Sequence, residues 1–93
     1  MDNNFENFKL KVGQLVNQYN TGNFNFVIQK VNSLLKKQPN NQFILNLLGS
    51  SYHKIGNLNV AKKVFMRVME LDKNNLAAMN NLANVFKDLS EFT

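Results

Sequence analysis

The sequence predicts an all-α fold of five helices, arranged as about two and a half helix–turn–helix repeats. Three observations predict it. Apolar residues recur in steps of three and four, the spacing of one helix face. Helix breakers are scarce, with one Pro and four Gly in 93 residues. The chain also matches itself at an offset of 34: Gly22, Asn23, Asn25, Asn40 and Asn41 recur as Gly56, Asn57, Asn59, Asn74 and Asn75. A fixed period of this length marks stacked helix pairs.

The expected helices are about 5–20, 24–37, 42–54, 58–71 and 75–89. In the first, a strict offset of 34 would set Gln14 and Gln18 in the core. Shortening the following turn by one residue gives the apolar seam Val12, Leu15, Val16 and Tyr19 instead, at less cost than burying two amides. Gly22 suits a helix end that needs positive φ, and Asn23 suits the cap of the next helix. The second helix carries Phe24, Val27, Val31 and Leu34, and Pro39 stands just past it. The third carries Leu45, Leu48, Gly49 and Tyr52 and closes on Gly56. The fourth repeats the second as Leu58, Ala61, Phe65 and Val68. Lys73 replaces Pro39 there, so Asn74 and Asn75 are expected to supply the stop. The fifth carries Met79, Leu82, Val85, Phe86 and Leu89. Its Ala83, Phe86 and Phe92 answer Gly49, Tyr52 and Leu58, and the sequence reaches Thr93 before a sixth helix.

Composition narrows the function classes. A chain of this length is expected to form one small domain, 1–93. Hydrophobic content of 44% with eight Phe supplies a core and argues against disorder. With no Cys, disulfides and Cys-based zinc sites are excluded. No apolar run reaches the ~18–20 residues that span a bilayer. The start, MDNNFENF, lacks the basic and apolar segments of a signal peptide. A cytoplasmic protein is the expectation. No nucleophile–base set, carboxylate pair, metal-ligand cluster or phosphate-binding Gly loop is present. No catalytic residue, metal or cofactor is therefore expected.

The stretch Leu45-x-x-Leu48-Gly49-x-x-Tyr52, then Gly56, then Ala61-x-x-x-Phe65, resembles the tetratricopeptide repeat family. The likeness covers nearly the whole chain, with units at about 8–41, 42–75 and an incomplete 76–93. Leu45 stands in place of the usual Trp and Lys73 in place of the usual Pro. The pentatricopeptide repeat, an RNA-reading relative, is the neighbouring resemblance; the period of 34, the run Asn80-Asn81-Leu82-Ala83 and Pro39 favour the first. The resemblance implies a right-handed α-solenoid. The first helix of each pair would line the concave face and the second the convex face.

Beside the packing seam of the first helices, rows at i, i+4, i+7 read Gly13, Asn17, Asn20, then Asn46, Ser50, His53, then Asn80, Asn84, Lys87, with Asn81 flanking. Asn both donates and accepts, so such a groove would pair with the backbone of an extended peptide. It is similar to the asparagine-lined groove of the O-linked N-acetylglucosamine transferase repeats. Against the carboxylate clamp of chaperone-tail binders, Asn17 matches one slot, but Asn81 holds an amide where a cation is expected and Gly13, Leu47 and Ala77 leave other slots empty of useful groups. The sequence near His53 offers no orienting partner, so a solvated residue is expected there. The leading reading is a non-catalytic protein-interaction module with a peptide or protein partner. The alternative is a structural or self-associating region, or the N-terminal part of a larger transferase, meeting its neighbour through Met79, Leu82, Val85, Phe86 and Leu89. RNA binding is third. The net charge of +5 comes mostly from second helices, spread over the convex face without interleaved aromatics, which argues against nucleic acid.

Overall fold

A computed structural model describes residues 3–91 as five helices: α1 (Asn3–Asn20), α2 (Phe24–Leu35), α3 (Gln42–Lys54), α4 (Leu58–Leu71) and α5 (Leu76–Glu91). No strand occurs among the described residues. Phe92, the expected counterpart of Leu58, lies outside them. Helices α1, α3 and α5 adjoin in a row; α2 packs on α1 and α3, and α4 on α3 and α5, while the backbones of α2 and α4 stay apart. Three touching helices on one side and two separated ones on the other make the α1–α3–α5 row the inner face of a short stack. Among the described residues no helix is long and apolar enough to cross a membrane.

The core follows the apolar stripes, because each helix pair carries more apolar surface than it can bury alone. Leu15, Val27, Val31, Ile44 and Leu48 close the first junction, with Tyr19 and Tyr52 packed at its edge. On the other side of α3, Leu45, Val68 and Ala78 form a second cluster. Ala61, Phe65 and Val85 form a third. Helix α3 thus buries residues toward both neighbours. Gly49 lets α4 come close: a Cβ there would stand 2.6 Å from the Phe65 ring. At an offset of 34 the same pair is Leu15 with Val31. A slim and a bulky residue have been exchanged for two of middle size, which keeps the filled volume similar.

The turns correct one expectation. Gly22 N–H donates to Tyr19 C=O and Asn23 N–H to Gln18 C=O; Gly56 N–H donates to His53 C=O and Asn57 N–H to Tyr52 C=O. Both glycines have positive φ, 89° and 85°, and both close the same Schellman-type cap. The first turn is therefore not shortened. The seam shifts instead: Gln14 is exposed, Leu15 is buried, and Val12, Val16 and Tyr19 are half-buried. The apolar stripe of α1 is turned by one residue, about 100° around its axis. Val12, Val16 and Tyr19 consequently occupy the places of Asn46, Ser50 and His53. Helix α1 tolerates this because, among the described helices, only α2 and α3 pack against it.

The other joints assign the Asn residues unequal work. Helix α2 ends at Leu35, two residues before the expected end. Pro39 disfavours a helical Gln38, and Lys36 N–H and Lys37 N–H turn tightly onto Ser33 C=O and Leu34 C=O. Helix α4 runs to Leu71 and is ended by Asp72, not by the Asn pair. Asp72 is extended, and its carboxylate accepts from Asn74 N–H at 2.9 Å. Asn75 instead begins α5, accepting from Ala78 N–H at 2.9 Å. Asn41 caps α3 in the same way through Ile44 N–H at 3.1 Å. Asn57 accepts a longer bond from Val60 N–H, 3.4 Å. Asn23 makes no side-chain cap; its amide donates to Gln18 Oε1.

Candidate functional site

The inner face divides into two halves, one on each side of α3. Between α1 and α3 runs a slot lined by Phe5, Phe8, Lys9, Val12, Asn41, Phe43 and Ile44. The α1 residues fall at i, i+3, i+4 and i+7, a single helix face. They face α3 there because the stripe of α1 is turned as described. Phe43 is 59% exposed and Phe5 62%, so the slot offers apolar surface to solvent. It encloses about 250 Å³, below the ~300–1,000 Å³ of a small-molecule site and suited to one or two side chains.

Between α3 and α5 the inner face is polar and cross-linked. The cap on Ala78 N–H fixes Asn75 Oδ1 as acceptor, which orients both neighbouring amides. Asn75 Nδ2 donates to Gln42 Oε1 at 2.7 Å, and Asn46 Nδ2 donates to Asn75 Oδ1 at 3.2 Å. Asn46 Oδ1 is left buried without a protein partner. One helical stretch further on, His53 Nε2 meets Asp88 Oδ2 at 2.5 Å, with side chains 25% and 40% exposed. His53 therefore has the orienting partner that the local sequence did not offer. Asp88 comes from the next first helix, 35 residues on.

The sequence-predicted residues separate accordingly. Asn46 and His53 are committed to holding α5 against α3. Ser50 is half-buried on the same face of α3; the neighbouring Ser51 is fully buried and donates back to Leu47 C=O. Asn80, Asn84 and Lys87 are exposed along α5 and Asn81 is half-buried. Asn17 and Asn20 are exposed, but the turned stripe sets them off the α1–α3 slot. Asn17 shares a shallow surface with Glu6, Lys9, Leu10, Gly13 and Gln14, all of α1. The three expected rows thus do not form one continuous amide groove. Phe5, Phe8, Val12 and Phe43 are the inner-face residues that the Asn pattern obscured. Their signal was the conserved offset of the two turns, which puts Val12 where Asn46 stands.

The end of the stack is likewise mixed. Val85 is fully buried and cannot meet another molecule. Leu82 and Leu89 pack partly on the Ala61–Phe65 cluster. Met79 (45%) and Phe86 (49%) remain exposed, joined by Leu76 (69%), which the sequence reading did not include. No group of three or more candidate metal ligands lies among the described residues.

Known proteins agree with this architecture. The family model for the tetratricopeptide repeat matches residues 44–75, the unit in which Gly49 receives Phe65. A relative described as "Uncharacterized protein ycf37", from Porphyra purpurea, is 37% identical over 65 residues, covering 67% of this chain. The match spans 38% of that relative's own length. The helix pairs, their common turns and the matched unit make this chain a member of the tetratricopeptide repeat family.

Proposed function

We propose that this chain is a non-catalytic protein-interaction module that takes an extended peptide across its inner face. The family is a scaffold for protein–protein contacts, and the site must be argued from the surface itself. The observation that carries the reading is the α1–α3 slot, where Phe5 and Phe43 stay largely exposed beside the half-buried Phe8 and Val12. An apolar side chain of the peptide enters this slot as the anchor. Exposed Asn80, Asn84 and Lys87 on α5 meet the peptide further along by polar contacts. An anchored contact of this kind concentrates binding energy in few residues. Selection from a displayed peptide library, followed by titration of the selected peptide, tests it. Phe43→Ser is expected to weaken binding at least about tenfold, and Asn80→Ala with Asn84→Ala about two- to threefold, scaled from the truncation costs typical of interface centres and rims. Selected peptides that bind Phe43→Ser unchanged would remove the slot from the account.

A second reading rests on the Leu76–Met79–Phe86 stripe. The face is equivalent to the one that α4 covers on α3, where Leu45 is 5% exposed. In this reading α5 meets a second copy of the chain, with Ala83 at the crossing. Sedimentation across a concentration series tests it: a monomer throughout, for parent and Phe86→Ser alike, would end it.

A further inference from the structure

A cleft runs along the outer side of the first helix pair, turned away from α3. Its lining from α1 follows one face through Lys11, Gln14 and Gln18, its lining from α2 follows Phe26, Lys30 and Leu34, and Lys37 adds to it from the turn just past α2. The part between Gln14 and Phe26 encloses about 520 Å³, twice the inner slot. Three lysines line it and no carboxylate does. This gathering was not expected from the sequence, where the second-helix lysines read as spread over a convex face. The chain that builds it is mostly basic, with Glu6 just before Asn7 of the lining and no further carboxylate until Glu70. Residues 7–69 hold nine of the eleven Lys and Arg and no Asp or Glu.

We infer that this cleft binds an acidic, extended segment of a protein partner, at a site separate from the inner face. Lysine ammonium groups on both walls supply contacts to carboxylates spaced along the ligand. Gln14 and Gln18 carry donors and acceptors that suit a peptide backbone. Leu34, half-buried in the wall, gives one apolar side chain a place to rest. The lining fits a peptide better than a nucleic acid. Single strands are held by open aromatic faces on which bases stack. Here the Phe26 ring already carries the Lys30 ammonium, 5.6 Å from its centroid, and Phe8 is half-buried. Because the attraction is between exposed charges, it is screened by salt.

The test uses the full chain and a fluorescein-labelled peptide of about twelve residues, Glu and Asp with one central Leu, read by anisotropy. A Gln/Asn version of that peptide and an oligouridylate of similar charge are the comparison probes. The triple variant Lys11→Gln, Lys30→Gln, Lys37→Gln is set against Lys54→Gln, Lys63→Gln, Lys73→Gln, which removes equal charge elsewhere. All six lysines are exposed, so both variants are expected to keep the parent helix content and melting profile. The expected result is binding of the acidic peptide that the cleft triple weakens about tenfold, at roughly 0.5 kcal/mol per ion pair, and the control triple less than about threefold. Amide shifts on titration should map to α1 and α2 and should persist in Phe43→Ser, which separates this site from the inner slot. Equal losses in the two triples would overturn the inference, as would equal binding of the Gln/Asn peptide. Preference for the oligouridylate, or a cleft found occupied by a second copy in sedimentation before peptide is added, would overturn it too.

Discussion

The two halves of the inner face teach opposite lessons about polarity. The α3–α5 half is rich in amides and holds an imidazole and a carboxylate, the residue types that invite a functional reading. There the groups are spent on one another: Asn75 caps α5, Gln42 and Asn46 attach to Asn75, and His53 meets Asp88. The α1–α3 half is apolar, the kind of surface usually assigned to packing. It is the half with exposed surface left over, at Phe5 and Phe43. A buried polar group needs a partner, so the paired members of the polar half are structural, and Asn46 Oδ1 is left there as a buried acceptor without one. Apolar surface left bare beside a rigid core is what a partner can still bury.

The largest expected effect is at the helix both halves share. Gly49→Ala puts a methyl 2.6 Å from the Phe65 ring, and either α3 or α4 must move. Overpacking of this kind costs about 1–3 kcal/mol, a large part of the stability of so short a chain. Urea unfolding should show it, and Phe65→Leu in the same chain should return part of the loss. If Gly49→Ala were neutral, α3 would not be the fixed divider that the comparison assumes.

The next effect compares the two caps. Asn41 and Asn75 hold the same position 34 residues apart and make the same cap, but only Asn75 also joins two amides from the preceding repeat. Asn41→Ala should cost about 1 kcal/mol, the usual loss of a cap. Asn75→Ala should exceed it by about 0.5–1.5 kcal/mol, the worth of a typical hydrogen bond, as Gln42 and Asn46 lose their partner. Equal losses would mean that the amide network adds nothing and the polar half is available after all.

Much of this was legible in the sequence. The five helices, the two positive-φ glycines and the role of Asn57 follow from local chemistry that repeats at 34. The inner face did not follow. Periodicity gives the seam of α1 as Val12, Leu15, Val16 and Tyr19, but the expected shorter turn does not produce it, since both turns close alike. A shorter turn would set Asn17 and Asn20 in line with Ser50 and His53, where the structure has Val16 and Tyr19. Helix periodicity fixes which residues share a face, not how that face is turned against a neighbour. His53–Asp88 was hidden for a related reason: its members lie 35 residues apart, and only the stacking of repeats brings them together. Likewise, Lys11 and Lys30 come to line one cleft only because α2 packs on α1.

A smaller effect is expected at His53 and Asp88. The pair joins α3 to α5, but both side chains are partly open to solvent. Asp88→Ala should cost no more than about 1 kcal/mol, and the cost should shrink as salt is raised. Thermal melts at low and high ionic strength would read this. A loss much above that bound would mark the pair as the main tie between the second and third repeats, displacing Asn75 from that role.

The smallest effect on stability is expected at Phe43, and it separates the halves most directly. The side chain is 59% exposed near the start of α3, so Phe43→Ser removes little buried surface. Its unfolding free energy should stay within about 0.5 kcal/mol of the parent, as for other surface changes away from the core. Binding of a selected peptide should fall at least about tenfold in the same protein, the loss expected when an interface anchor is removed. Asn75→Ala should give the reverse pattern, a measurable loss of stability with peptide affinity nearly kept once the chain is folded. A stability loss at Phe43 matching that at Asn75 would make the slot part of the core. The apolar half would then be packing, and the exposed face of α5 would be the surface left for a partner to cover.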